Sequence, residues 1–588
     1  MRYDKIAPGL MVALEDFERV GRPAVRAHAR LLGVVGADES PRPPRAVVFV
    51  RCDEKANLHH LREHGIQVNQ ERGRIRTALL PLQQLGRLSE EEAIDRIAPS
   101  HRLRYLLDVA PASCRIREFR ASSRLDGSGV VVGIVDSGID ARHSGFANRI
   151  HRIWDQTLTG SGVPEAEYGV ELTGNLLSVS ADTVGHGTHV AGIAAGEDAA
   201  FSGVAPRSRL VVVKTDLDAG HIHDALLYIF RIAGELGLPA VVNLSLGGHF
   251  DAHDGSDDLS IALDDMSGPG RIVCCAAGNE GDEDIHAQIR IQEGETVRLG
   301  VRVPSSAGAD APRQVILNGW YSGHDLFDVA LRSPQGFQTP FQRVIESGNP
   351  AQDFLLPEGR VRITTDPPSL QNGDHQFLVR IFGPDGFGSP LTPGVWSLLL
   401  RGRQVEHGRT DVWVLDDSDR VNVVFTAGSA TPGFKIGSPG CSASAVTVGS
   451  YTCKVSWRDI DGVEREVGQT LDDASSFSSD GPLRTEARKP DLTAPGAWIA
   501  SCASGHASYE RALRISDRYV AMQGTSMATP VVTGLIALLL QRNPGLDPNA
   551  VKEILRRSCQ VPGQPSGSFH PNWGHGRINA ETLDLSDL

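Results

Sequence analysis

Disulfide chemistry is the first thing this sequence leaves little room for. Eight cysteines in 588 residues are too sparse for a cross-linked scaffold, and the adjacent Cys274 and Cys275 lie in an apolar run that suits a buried strand better than a bridge. No Cys-x-x-Cys pair is present to suggest zinc. The thiols therefore read as reduced and the expected compartment is cytoplasmic. Long hydrophobic runs are missing too, since the clearest one, Val531–Leu540, is far too short to cross a bilayer. Met1–Arg30 mixes apolar residues with acids and arginines and contains no uninterrupted apolar stretch of the kind a secretory signal needs. Lysine is scarce beside arginine, and the net charge of −14 is dispersed rather than gathered into a tail, which argues against nucleic acid as the main partner. There is no internal repeat or low-complexity tract. The length fits roughly three to five domains with large buried cores.

Three short islands carry the chemistry. Val130–Val135 is an apolar run without alternation, as expected of a parallel strand covered on both faces. Asp136 follows at its carboxyl end, where open α/β sheets place functional groups. A turn after a strand would explain a lone Asp-Ser-Gly equally well. Gly185–Gly192, Gly-His-Gly-Thr-His-Val-Ala-Gly, opens a run of small residues suited to close helix packing. His186 there is a candidate general base, with a tightly packed core helix as the plain alternative. A zinc site is disfavoured, because His186 and His189 are spaced i, i+3 with no glutamate between them. Gly524–Pro530, Gly-Thr-Ser-Met-Ala-Thr-Pro, places Ser526 at the mouth of an apolar helix. The unpaired N–H groups and the dipole at such a helix start favour a developing oxyanion. An N-capping serine is the ordinary reading.

Taken together and in the order Asp…His…Ser, these islands resemble the subtilisin-like serine proteases, or subtilases. The resemblance implies a parallel α/β sheet with helices on both faces, and a catalytic triad of Asp136, His186 and Ser526. It implies that Val241–Gly248 supplies the cleft strand, with Ser245, Leu246 and Gly247 pairing their backbone with an extended peptide. Ala276–Glu280 would carry the other wall, with Gly278 lining the cleft and Asn279 joining the Ser526 N–H in the oxyanion hole. Losing such a side-chain donor costs roughly 3–4 kcal/mol of transition-state stabilisation. Ser475–Pro482, Lys489–Gly496 and Gly574–Ala580 match further segments of the family.

Between Asn279 and Ser526 the chain is much longer than in compact subtilases. Thr296–Val303 alternates, and Phe327–Leu331, Val361–Thr364, Gln376–Phe382, Val395–Leu400 and Val412–Leu415 are short runs separated by Gly, Pro and Asp. Such a pattern reads as an antiparallel sandwich or jelly roll. Core-like sequence resumes at about Thr431–Ser450. This layout is similar to that of the clostridial spore-germination subtilases.

Ahead of the core, Leu10–Val35 can form amphipathic helix and Asp38–Pro44 a Pro-rich linker. Ala46–Cys52 reads as a strand, Leu58–His64 as a helix closed by Gly65, and Ile66–Asn69 with Ile75–Leu80 as a hairpin around Gly73. Leu82–Ile97 reads as helix, with Ser89 and Glu92 at capping-box spacing, and Leu103–Val109 as a last strand. This β-α-β-β-α-β order is ferredoxin-like and resembles the subtilase propeptide, a folding chaperone and inhibitor. A permanent regulatory domain is the alternative, and maturation would cut near Leu106–Arg120.

The expected division is residues 1–44 (helical extension and linker), 45–112 (propeptide-like domain), 113–285 and 431–588 (catalytic core), and 286–430 (inserted β domain). The expected function is serine endopeptidase action on protein or peptide substrates by an intracellular processing or regulatory enzyme. The N-terminal domain would be its intramolecular inhibitor and be removed by self-cleavage. A non-catalytic regulator on the same fold is the alternative. No metal or cofactor is required. The acidic loops Asp251–Asp258 and Asp282–Asp284 could favour basic side chains or hold Ca²⁺, while His249, His253 and His286 lack metal-ligand spacing.

Overall fold

The computed structural model describes all residues except 22–27, 29–31, 33, 36–42, 102–103, 106–113, 199–200, 307–310, 346–349, 387, 418–421 and 584–588. The chain forms two compact units, one of residues 1–102 with 283–432 and the other of residues 103–282 with 433–588. No helix among the described residues is long and apolar enough to cross a membrane.

The second unit is built on a ten-stranded sheet. Its centre runs, in spatial order, Leu492–Pro495, Val446–Tyr451, Arg271–Ala276, Ala240–Leu244, Val131–Asp136, Arg209–Lys214 and Ile150–Asp155, all parallel. Val131–Asp136, three valines and an isoleucine around Gly133, is buried on both faces. Val132 and Ile134 join the core formed by helices His186–Ala195 and Thr525–Arg542, whereas Gly133 faces Ile229 of helix Ala219–Leu236 on the opposite side. Helices therefore cover both faces. After Arg209–Lys214 the chain crosses over Val131–Asp136 to continue the sheet on its far side, which puts Asp136 at a topological switch point.

In the first unit, residues 283–432 form two antiparallel sheets. The six-stranded sheet runs His286–Arg290, Arg409–Asp416, Gln314–Tyr321, His375–Phe382, Gly359–Thr365 and Ala351–Leu356, and the four-stranded sheet runs Leu326–Arg332, Gly394–Gln404, Thr296–Val303 and Val424–Phe425. Val301, Leu317, Phe327, Phe377, Trp396 and Val412 belong to one shared core. Gly319 admits no side chain, because a Cβ there would stand 2.0 Å from the Phe377 ring.

The N-terminal part of this unit is an antiparallel sheet. Strand Arg45–Cys52 lies between Ile75–Pro81 and Ile94–Pro99, and Gln67–Val68 pairs with the outer side of Ile75–Pro81. Residues His59–His64 form a 3-10 helix closed by Gly65 at φ 74°. The helix expected over Leu82–Ile97 is much shorter, Leu85–Ser89, and Ile94–Pro99 is a strand. Pairing of Ile94 and Ile97 with Cys52 and Val50 buries both isoleucines and overrides the local helical pattern. Ser89 accordingly caps nothing; its hydroxyl donates back to Gly86 O at 2.6 Å. Pro8–Val20 is helical, and most of the remainder of the expected Leu10–Val35 segment lies outside the described residues, as does Leu106–Val109 of the last expected strand.

An ion cluster fastens the Pro8–Val20 helix within the first unit. Arg362 makes two 2.8 Å bonds to Asp16 and two more to Asp353, His28 Nε2 donates to Asp16 at 2.9 Å, and Arg380 donates to His28 Nδ1 at 3.1 Å. Asp16, His28, Arg362 and Arg380 are all buried.

Candidate active site

Asp136 ends its strand with the carboxylate fully buried. Its Oδ1 accepts from Ser137 N at 2.7 Å and from His186 Nδ1 at 2.6 Å. A carboxylate at Nδ1 fixes the proton there and leaves the basic lone pair on Nε2. His186 is the first residue of its helix. Glycine is needed on either side, since a Cβ on Gly187 would meet Gly138 O at 2.2 Å and one on Gly185, at φ 85°, would meet Tyr509 Oη at 2.0 Å.

The start of that helix is held by Asp182, a residue that sequence reading missed. One carboxylate oxygen accepts from Gly185 N and from Ser137 Oγ at 2.7 and 2.8 Å, and the other from Thr188 N and Oγ1 at 2.9 and 2.6 Å. Ser137 Oγ in turn accepts from Gly187 N at 2.8 Å. Asp182 thus bridges the strand that carries Asp136 and the helix that carries His186. A lone aspartate before a His-Gly motif is a weak signal, although acids do favour helix starts. His189, one turn on, is spoken for: its Nε2 faces the carbonyls of Ile499 and Val520, and burial pushes its pKa down to about 3.

Ser526 is the second residue of helix Thr525–Arg542, which packs against the His186 helix. Its Oγ donates to Ser245 O at 3.1 Å, and Ser245 Oγ donates to Ser526 O at 2.8 Å. Asn243 Nδ2 holds Ser245 Oγ at 2.8 Å while its Oδ1 accepts from Thr533 Oγ1 at 2.9 Å. The segment Asn243–Ser245 is thereby fastened to the serine helix. Immediately beyond it, Leu246 and Gly247 pair antiparallel with Tyr105 and Arg104 of the same chain.

Asn279 is oriented by the same helix. Thr525 N and Oγ1 both donate to Asn279 Oδ1, at 2.9 and 3.1 Å, so its side-chain amide presents Nδ2 as donor. Gly278 takes φ 119° and lies so near Ser479 that a Cβ would stand 2.4 Å from its hydroxyl. Glu280 Oε2 accepts from Asn279 N at 2.7 Å and Ser479 Oγ at 3.0 Å. Although burial opposes it, pairing with His249 and these hydrogen bonds bring the Glu280 pKa down to about 2.

All the residues expected at the site, Asp136, His186, Ser526, Asn279, Ser245, Leu246, Gly247 and Gly278, belong to the second unit. His249 and His253 are hydrogen-bonded together, whereas His286 sits in the first unit against Asp411. The acidic loop is occupied with protein donors: Asp251 accepts from His253 N and Ser438 N, Asp254 from Ser256 N, and Asp257 from Ser260 N and Ser438 Oγ. Among the described residues no group of three or more His, Cys, Asp or Glu is arranged to hold a metal ion. A Ca²⁺ ion on this loop would have to displace those donors.

A family model described as the subtilase family, Peptidase S8, matches residues 127–310 and 394–576. Serine protease AprX of Bacillus subtilis is 36% identical over 164 residues, 27% of this chain and 34% of that protein. The major intracellular serine protease of the same organism is 31% identical over 163 residues, 27% of this chain and 45% of its own length. The chain thus spans less than half of either relative. The CspB protease of Clostridium perfringens has the same fold, with a TM-score of 0.64 at 24% identity over 79% of this chain and 96% of that one.

Proposed function

Because this chain belongs to the subtilase family, we propose that it is a serine endopeptidase working through Asp136, His186 and Ser526. Ser526 Oγ attacks the scissile carbonyl as His186 Nε2 takes its proton. The same nitrogen returns the proton to the leaving amine, and a water then releases the acyl group from Ser526. Asp136 keeps the imidazole in the Nδ1–H tautomer and stabilises the imidazolium. Asn279 Nδ2 and the Ser526 N–H receive the oxyanion. The observation that carries this reading is the buried 2.6 Å Asp136–His186 pair, its histidine on a helix packed against the one that holds Ser526 in its first turn.

The substrate is a protein or peptide bound as an extra strand along Ser245–Gly247 beside Gly278. The N-terminal region is its intramolecular inhibitor, cut by the enzyme itself. Support comes from the antiparallel pairing of Arg104–Tyr105 with Leu246–Gly247, which occupies the backbone a substrate would use. The N-terminal strand order, with Arg45–Cys52 flanked by Ile94–Pro99 and Ile75–Pro81, favours a ferredoxin-like propeptide domain. The two sheets of residues 283–432 favour a β-sandwich of the jelly-roll kind. An intracellular processing or regulatory role is supported by eight free thiols and by likeness to the major intracellular serine protease. The enzyme needs no metal or cofactor.

Intact-mass spectrometry of wild type and Ser526→Ala with a fluorophosphonate probe tests this. Wild type alone takes one label, and only wild type releases an N-terminal fragment. A folded wild type that stays unlabelled even after removal of residues 1–112 would make the protein a non-catalytic binder.

A further inference from the structure

The stretch that leads into Ser526 is held from one side by a chain of hydrogen bonds that the catalytic steps do not use. Strand Tyr519–Met522 pairs antiparallel with Ile499–Cys502, with Met522 opposite Ile499. That register brings Trp498, the next residue outward, level with Gln523, three positions before Ser526. Gly524 N donates to Gly496 O at 2.8 Å and closes the same end of the ladder. Trp498 takes φ 60°, a left-handed conformation that a bulky side chain keeps only where its surroundings hold it. Here the indole stacks on Trp457, with ring centroids 4.5 Å apart and planes 19° from parallel, and Trp457 Nε1 donates to Ala512 O at 2.9 Å.

The indole imposes a direction on two amides in series. Trp498 Nε1 can only donate, and it donates to Gln469 Oε1 at 3.0 Å. The oxygen of Gln469 must face the indole, so its Nε2 is turned toward Gln523 and donates to Gln523 Oε1 at 2.6 Å. The second amide is fixed in turn, with its Nε2 at the far end of the chain. That nitrogen makes no bond among the described residues. It is not sealed in the protein either, since Gln523 is half-buried and its Nε2 is not one of the enclosed unpaired atoms. No titratable group takes part, so the direction of the chain does not depend on pH.

We propose, resting on the protease reading, that Gln523 Nε2 donates to a carbonyl of the peptide beyond the scissile bond, and that Trp498 and Gln469 are positioning residues that make it a donor. Ser245–Gly247 and Gly278 serve the acyl side, and Asn279 with the Ser526 N–H is committed to the oxyanion. No member of that set serves the leaving chain. A peptide offers a carbonyl at every residue there, and an amide held with its N–H outward matches one whatever the side chain. Gln523 therefore adds hold on the leaving chain without selecting its sequence, and peptides that continue past the cleaved bond are favoured over those that end at it.

The test compares kcat/KM for two substrates with one acyl sequence: a quenched peptide that continues past the cleaved bond, and a p-nitroanilide that ends at it. Their ratio cancels the fraction of active enzyme. Relative to full-length wild type, Gln523→Leu lowers the peptide/anilide ratio about fivefold, the effect of losing one donor. Gln469→Glu does the same with Gln523 untouched. A carboxylate there accepts from Trp498 Nε1 and from Gln523 Nε2, so both bonds persist while the second amide turns round and offers its oxygen. A purely structural role would lower both substrates equally and leave the ratio alone. An unchanged ratio in Gln523→Leu, or a fall there that Gln469→Glu does not share, overturns the proposal. A wild type that takes no fluorophosphonate label and cleaves neither substrate sinks the protease reading, and the proposal with it.

Discussion

His186 and His28 are both fully buried histidines held by a buried aspartate, at 2.6 Å from Asp136 and at 2.9 Å from Asp16. The two pairs use opposite ring nitrogens. His186 gives its Nδ1–H to the carboxylate, from a helix that packs against Thr525–Arg542. His28 gives its Nε2–H to Asp16, and its Nδ1 lone pair is taken by the Arg380 guanidinium at 3.1 Å. A histidine whose every lone pair faces a fixed cation cannot accept a proton from a nucleophile. On the proposed reading, the same two side chains build a base in one unit and a fastening in the other.

The largest effect that would break this contrast is on activity. Asp136→Asn should lower kcat by about 10⁴-fold, because an amide at that place favours the wrong tautomer, while thermal unfolding changes little. A loss below about tenfold would mean that the Asp136–His186 pair is structural, like Asp16–His28. In the other unit the reverse is expected. Asp16→Ala strands Arg362 and His28 without their common carboxylate, and removing one partner of a buried ion pair costs about 3–5 kcal/mol. Calorimetry should show the transition of that unit at markedly lower temperature. An unchanged transition would mean that the cluster adds nothing to folding.

The contrast also explains what the sequence could and could not tell. Asp136, His186, Ser526 and Asn279 were legible because glycines the geometry requires stand beside them: a Cβ on Gly187 would meet Gly138 O, and Gly185, Gly278 and Gly524 take φ of 85°, 119° and 149°. Those steric demands write contiguous motifs. Asp182 positions the same groups through its side chain alone, outside those motifs, and leaves no pattern. Asp16 and Arg362 touch across 346 positions of sequence, and no local reading can pair them. In residues 283–432 the alternating strands were visible. Ala351–Leu356, an edge strand with no buried face, and Gln314–Tyr321, buried along its whole length, lack the period-two signal and went unread. The strand Ile94–Pro99 was hidden by helix-like spacing that only its partner Arg45–Cys52 overrules.

The smallest effect expected is on acid stability, and its sign separates the two histidine environments further. Burial, reinforced by Arg380 and Arg362, pushes the His28 pKa down to about 4 although Asp16 pulls it up. The folded protein therefore resists protonation that the unfolded chain accepts at the ordinary value near 6.5. Stability from the neutral ring is complete above about pH 6.5 and is lost as pH falls toward 4, by of order 2–3 kcal/mol. Asp16, whose pKa is lowered by His28 and Arg362 against the opposing effect of burial, contributes in a lower window, below its ordinary value of about 3.8. His189 in the other unit has the same sign as His28, so wild type alone cannot separate them. His28→Gln can, because glutamine can donate to Asp16 and accept from Arg380 without titrating. Denaturant unfolding of the two proteins between about pH 6.5 and 4 should give a shallower acid limb for His28→Gln, with the His189 contribution cancelling in the difference. Parallel limbs would show that His28 takes up its proton in the fold as readily as in water, and the cation at its second nitrogen would no longer distinguish it from His186.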